Sequence, residues 1–338
     1  MTEASSPWTV WSPWRRRRLA RMITLFGILP ASLALLVAVL VSTGIQFGDV
    51  ASALGRISPW FLVAAGAASL VELALRVARF RLMLRGMGFR VSFRSVLSAQ
   101  LIGIFAGTVS PMRIGEPLKA VVLQRRDGVP AGVGVVAAVM ERVLDLVILV
   151  FLFLLALTTT VGRLVPADPA TVASIGVGLV VLYLALVYGI ARGRLGRFLM
   201  QRFRPGGLVH RFALGVLEIR LPAVASVSWA VMSVVITLVD VSILYWILWG
   251  VGAPMDYLLV LALVGAGTLA GIASQVPGGI GTTEAVYVFL LNRIGVPAAD
   301  ALAAAVVSRL MSFYLFTLVG WVLLARTSVG LREAVAKT

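Results

Sequence analysis

Cysteine is absent from the 338-residue chain, and histidine occurs once, at His210. The first absence excludes disulfides, thiolate metal sites and cysteine nucleophiles; the second excludes His-rich metal centres and histidine proton relays. Charge is scarce as well, at 13% of residues, where soluble proteins carry about a quarter. No stretch between apolar runs is longer than about thirty residues, too short for a separate soluble core. A soluble catalytic domain is therefore not expected. What the chain has instead is 60% hydrophobic residues and a mean hydropathy of +1.01. Those values describe an all-α polytopic membrane protein.

The net charge of +16 rests on 28 Arg and 2 Lys against 14 acids. In a soluble chain that excess would raise nucleic-acid binding. Here the arginines cluster beside apolar runs: Arg15 to Arg18 with Arg21, the group from Arg76 to Arg94, and seven between Arg192 and Arg220. Such placement is positive-inside topology and attraction to anionic headgroups, not nucleic-acid recognition. His210, inside the third cluster, reads as a solvated surface residue.

About 20 apolar residues cross the hydrocarbon layer, and on that measure six full spans fall near 22–43, 58–79, 132–160, 170–191, 223–249 and 298–325. The first follows four arginines but has no small-residue cleavage site, so it reads as an anchor and not as a signal peptide. Two further apolar regions are broken. Residues 95–127 carry Pro111, Arg113, Gly115, Glu116, Pro117 and Lys119, and residues 257–293 carry Pro277-Gly278-Gly279-Ile280-Gly281. Freed backbone groups persist in a membrane only where protein or a watery cavity covers them, so each region reads as two half-helices in a re-entrant hairpin.

With both hairpins re-entrant, the charge bias puts both termini in the cytoplasm and the chain in the cytoplasmic (inner) membrane. The expected organisation is a basic N-terminus over 1–21, one transmembrane domain over 22–325 and a tail over 326–338.

The chain also repeats itself. Pro111-Met112-Arg113-Ile114-Gly115 aligns with Pro277-Gly278-Gly279-Ile280-Gly281 at an offset of 166; Gly128-Val129-Pro130 and Arg142 align with Gly295-Val296-Pro297 and Arg309 at 167; Ser69 to Glu72 align with Thr237 to Asp240 at 168. Each half, about 58–160 and 223–325, is then span, hairpin, span. The charge-derived topology gives the halves opposite orientation, the inverted-repeat plan with a site near mid-membrane. Chance similarity in Ala/Val/Gly-rich sequence is the competing reading.

Ionic groups inside spans mark the candidate site. Glu141, Arg142 and Asp145 lie ten to fourteen residues into a helix starting near 131, hence about 15–20 Å deep. They read either as solute-facing groups or as structural pairs, for example Arg142 with Glu116. Arg113 and Glu116 follow the first proline break, where free N–H groups favour an anion and a guanidinium suits phosphate. Gly278, Gly279 and Gly281 allow close backbone approach or serve plain helix packing, with Glu284 on the next half-helix. Glu72 and Asp240 are buried acids at matching positions, partners for these arginines or proton carriers. Arg309 has no acidic neighbour in its own helix, so its partner must come from elsewhere.

Taken together, Pro111-x-Arg113-x-Gly115-Glu116, Lys119, Gly128, Glu141-Arg142-x-x-Asp145 and Pro277-Gly278-Gly279-Ile280-Gly281-x-x-Glu284 resemble the transmembrane region of the lysylphosphatidylglycerol synthase/flippase (multiple peptide resistance factor) family. The resemblance runs from about residue 22 to 325. It implies movement of a lipid between leaflets, without the soluble aminoacyltransferase domain of the full-length proteins and so without lipid synthesis. Lys119, where arginine is expected in many members, and Ser308 before Arg309 are departures from the pattern.

The resulting expectation is a non-enzymatic, cofactor-free lipid translocase. Its substrate-binding residues are Arg113, Glu116, Lys119, Glu141, Arg142, Asp145, Gly278, Gly279, Gly281, Glu284 and Arg309. Its partners are anionic or zwitterionic phospholipids and a lipid-synthesising enzyme. The alternatives are an intramembrane enzyme on a lipid phosphate, using Glu116, Glu141 and Asp145, and a lipid-binding scaffold for a synthase.

Overall fold

The structure, a computed structural model, describes residues 47–110, 113, 115–160 and 223–336 together with scattered positions between 170 and 217. Every described element is helical: α1 (Phe47–Arg56), α2 (Pro59–Gly86), α3 (Phe93–Thr108), α4 (Leu118–Asp127), α5 (Ala131–Thr160), α6 (Ala223–Gly250), α7 (Tyr257–Ala273), α8 (Thr282–Arg293), α9 (Ala298–Arg309) and α10 (Leu315–Ala336). The expected spans near 22–43 and 170–191 and the Arg-rich loop of 192–220 lie outside the described residues, apart from those scattered positions.

Helix α2, the stretch 226–250 of α6 and the run 298–326 through α9 into α10 are long and apolar enough to cross a membrane. Helix α5 has the length, 30 residues, but carries Glu141, Arg142 and Asp145 in its middle. Large apolar side chains also stay on the outer faces: Trp60, Val63, Leu70, Val227, Val231 and Leu318 are all more than half exposed. Helices apolar on all sides need a hydrocarbon solvent, so the chain is an all-α, membrane-embedded protein.

The sequence explains the element ends. Pro59 opens α2 at a position whose N–H has no helical partner anyway, Ser92 caps α3 by accepting from Ser95 N at 3.1 Å, and Asp256 caps α7 by accepting from Leu258 N at 2.9 Å. Gly128 ends α4 in the left-handed region at φ 69°.

The two broken regions are half-helix pairs, α3 on α4 and α7 on α8, each packed side by side. The first closes where Gly115 comes so near α3 that a β-carbon there would sit 2.2 Å from the Ala106 carbonyl oxygen; its N–H donates to Ser110 Oγ at 2.8 Å. The second turns through left-handed Gly278, Gly279 and Gly281, at φ 65°, 63° and 82°. Arg113, aligned with Gly279, has nearly the same backbone, φ 57°. The order long helix, half-helix, break, half-helix, long helix thus occurs twice.

Three features depart from the sequence reading. Helix α2 runs on to Gly86, so Arg76 and Arg79 lie inside it and are not part of a cytoplasmic cluster; the surface cluster begins with exposed Arg85, Arg90 and Arg94. The short helix α1 was not anticipated, and its Arg56 pairs with Asp300 of α9 at 2.5 Å. The last span passes through a π-helical turn, Leu310–Tyr314, and continues as helix to Ala336.

Candidate functional site

Between the two half-helix pairs lies a cavity of about 340 Å³, lined from every helix from α2 to α10 and from the two breaks. Its wall carries Arg76, Arg113, Lys119, Arg142 and Arg309 against Glu72, Glu116, Glu141, Asp145 and Asp240, equal numbers of formal positive and negative charges. Gln100, Thr237, Thr268, Gln275, Thr283 and Ser312 add neutral polar groups. A wall of this kind is expensive inside hydrocarbon unless its charges pair or meet water and solute.

The pairing is extensive. Glu141, on α5, accepts from Arg79 Nη2 of α2 and Gln100 Nε2 of α3, each at 2.9 Å, and from Lys119 Nζ of α4. One carboxylate therefore ties four helices together. Lys119 also lies 4.4 Å from the centre of the Phe80 ring. Arg79, with no exposed surface, spreads its fork over Glu141, Asp145 and Ser233 of α6. Five fixed donors in a plane suit such three-helix bracing better than an ammonium group would.

A second set of pairs closes the breaks. Arg142 donates from Nε to Glu116 Oε2 at 2.9 Å and from Nη2 to the other oxygen. Arg309 donates from Nε to Glu284 Oε1 at 3.0 Å and from Nη2 to the Gly278 carbonyl at 2.8 Å. Glu284 Oε1 also accepts from Tyr314 Oη at 2.8 Å, and Oε2 caps α8 by accepting from Gly281 N at 2.7 Å.

Charge is balanced in number but not in exposure. The side chains of Arg142, Arg113 and Arg76 are 38%, 32% and 28% exposed, whereas those of Glu72, Glu141 and Glu116 are 4%, 6% and 9% exposed. The open face of the cavity is thus mainly guanidinium, with most carboxylates set behind it. Arg113 has the loosest tether, a single contact to Glu116 at 3.4 Å, and lies 5.4 Å from the Phe313 ring, on which Arg309 also rests at 4.2 Å. Arg113 and Gln275, one in each break, have left-handed backbones, and both line the cavity. A non-glycine residue in that region costs roughly 1–2 kcal/mol, and such strain concentrates at functional sites.

Nine of the expected site residues meet in this wall: Arg113, Glu116, Lys119, Glu141, Arg142, Asp145, Gly278, Gly279 and Arg309. Gly281 and Glu284 do not; both sit behind it, where Glu284 positions Arg309 and caps α8. Glu72 and Asp240 line the cavity, but Glu72 pairs with Arg76 of its own helix at 2.7 Å rather than with Arg113, Arg142 or Arg309. Among the described residues Asp240 forms no ion pair. Arg76 and Arg79 are the residues the sequence reading missed. Glu72, Arg76 and Arg79 are spaced i, i+4, i+7, one helical face, and that spacing was the available signal. No group of three or more His, Cys, Asp or Glu side chains among the described residues could hold a metal ion.

Comparison with known proteins agrees with this architecture. A protein named glycosyltransferase AglD, from Haloferax volcanii, is 28% identical over 336 residues, covering 88% of this chain and 53% of the relative. The chain thus spans about half that protein's length. A UPF0104 membrane protein of Methanothermobacter thermautotrophicus is 26% identical over 301 residues, covering 81% of this chain and 85% of the relative. Another, from Pyrococcus horikoshii, is 24% identical over 285 residues, covering 76% and 84%. Residues 24–320 match the family described as the lysylphosphatidylglycerol synthase TM region, and to that family the chain belongs.

Proposed function

We propose that this protein is a flippase-like lipid translocase that moves a phosphate-bearing lipid, anionic or zwitterionic, between leaflets of the cytoplasmic membrane. The observation that carries the reading is Arg113: an arginine where the aligned break has Gly279, strained at φ 57°, with its guanidinium in the cavity and, among the described residues, one ion pair, at 3.4 Å. Arg142, paired to Glu116 yet 38% exposed on its side chain, presents a second fork to the same space. Forks of this geometry fit the oxygens of a phosphate diester. The headgroup enters the polar cavity while the acyl chains stay in lipid, so the desolvation barrier to crossing falls.

The repeated order of elements supports two oppositely oriented halves, and rocking of one against the other would open the cavity to each leaflet in turn. Both termini then lie in the cytoplasm, and the chain forms one transmembrane domain. The carboxylates of the cavity mostly brace cations, which favours binding and transport over catalysis by the chain itself. The family description, a synthase region, and a relative named as a glycosyltransferase of twice the span favour a lipid-synthesising enzyme as partner.

Reconstitution into vesicles with head-labelled phospholipids tests the proposal. Wild-type protein should accelerate exchange of label between leaflets, and Arg113→Ala should slow it. Exchange at the protein-free rate for every headgroup tried would overturn it.

A further inference from the structure

Among the described residues, Glu72 is the acid of the cavity with a fully buried oxygen left unpaired. Its Oε1 accepts from Arg76 Nε at 2.7 Å, but Oε2 is buried and, among the described residues, has no hydrogen-bond partner. The side chain is 4% exposed, and it forms part of the cavity wall. A buried carboxylate oxygen without a donor is costly. A proton on that oxygen, or on a neighbouring carboxylate that then donates to it, removes the cost.

The neighbouring carboxylate is Asp240. It stands on α6, the helix that packs along α2, lines the same cavity as Glu72, and has no ion pair among the described residues. It also borders a second space of about 40 Å³, shared with Thr268, Tyr287, Ser312 and Arg309, the last held by Glu284. That volume has room for a few water molecules, with polar partners on its wall. Asp240 therefore sits between the main cavity and a small polar side pocket.

The charged and titratable groups around the pair come from several packed elements. Arg76 lies on α2, Asp145 on α5, Arg113 in the first break, Tyr287 on α8 and Arg309 at the end of α9. Each of these cations has another anion or ring to serve: Arg76 reaches Asp145 at 3.6 Å, Arg113 contacts Glu116, and Arg309 is held by Glu284. Asp145 is held by Arg79. Arg76 satisfies only one oxygen of Glu72, and Asp240 has no ion pair among the described residues, so two acids on one wall with too few cations favour holding a proton.

We infer that Glu72 and Asp240 form a proton-binding site open to the cavity, one proton being held by the pair. Its role rests on the translocation reading. A phosphate arriving beside Arg113 and Arg142 adds negative charge near the pair, so headgroup entry and proton uptake favour each other, and a proton gradient can bias which leaflet releases the lipid.

Infrared difference spectroscopy on the full chain in lipid vesicles, with the pH stepped, tests the site without needing lipid movement. The wild type should show a protonated-carboxyl C=O stretch that shifts in D₂O. Glu72→Gln and Asp240→Asn should each abolish it, and the conservative Glu72→Asp and Asp240→Glu should move it and retain its intensity. A wild type without the band, or a band indifferent to substitution at both positions, overturns the site. A chain with the band that moves no lipid in the vesicle assay removes the translocation reading and leaves the proton site standing.

Discussion

Arg309 grips Glu284 through its Nε at 3.0 Å, locking α9 to the residue that caps α8. Arg142 and Glu116 make the same Nε contact at 2.9 Å across the first break. Each break is therefore clamped by an arginine from the following helix onto a glutamate just past the turn. The clamps differ in water access: the Arg309 side chain is 12% exposed, that of Arg142 38%. One pair is built to hold, the other to hold and still face the cavity.

Removing Glu284 should therefore cost more than removing Glu116. Glu284→Ala leaves Arg309, Tyr314 Oη and Gly281 N without their acceptor, and breaking a buried pair of this kind costs about 3–5 kcal/mol. Glu116→Ala leaves a half-wet Arg142 and should cost clearly less. Thermal unfolding of the detergent-solubilised variants measures the difference.

Arg79→Lys should destabilise although it keeps the charge. A single ammonium cannot reach Glu141, Asp145 and Ser233 together, and the loss falls on contacts joining α2, α5 and α6. We expect a loss of about 2–4 kcal/mol, near the lower end for a broken buried pair, seen as a lower unfolding temperature. A wild-type unfolding temperature in this variant would show that the three-helix brace is dispensable.

Arg113→Gly separates charge from backbone. Glycine relieves the left-handed strain at φ 57°, worth roughly 1–2 kcal/mol. It also removes the fork, whose charge-assisted bonds to phosphate are worth about 1.5–3 kcal/mol, or roughly ten- to a hundredfold in affinity. The variant should be at least as stable as wild type yet bind phospholipid more weakly, as titration with short-chain lipid would record.

Gly115→Ala should prevent the first hairpin from closing, because the added carbon would stand 2.2 Å from the Ala106 carbonyl oxygen, a backbone atom that cannot rotate away. Gly66→Ala is the control: it meets nothing within 4 Å in the interior of α2 and should stabilise by about 0.5–1 kcal/mol. Yields of folded, monodisperse protein read both.

The breaks and their half-helices were legible because proline and glycine interrupt an apolar run in a way lipid does not tolerate. Depth and sign alone left Arg142 as either solute-facing or paired with Glu116, and the structure shows the pair. The meaning of Arg76 and Arg79 was not. An arginine near the end of a 20-residue apolar run reads as a topology signal, and only the continuation of α2 to Gly86 turns it inward. Glu284 shows the opposite failure. Its place beside a glycine break suggested contact with solute, whereas helix capping uses one oxygen and Arg309 with Tyr314 uses the other. Motif position gave its neighbourhood, but which way a side chain faces is settled by packing.

Native mass spectrometry of the chain purified in mild detergent tests most directly whether the guanidinium-faced cavity takes a phosphate headgroup. The account predicts retained phospholipid on the wild type, at least tenfold depleted in a variant carrying both Arg113→Ala and Arg142→Ala that keeps its helical content. Equal lipid retention by wild type and variant, or a retained lipid without phosphate, would contradict it.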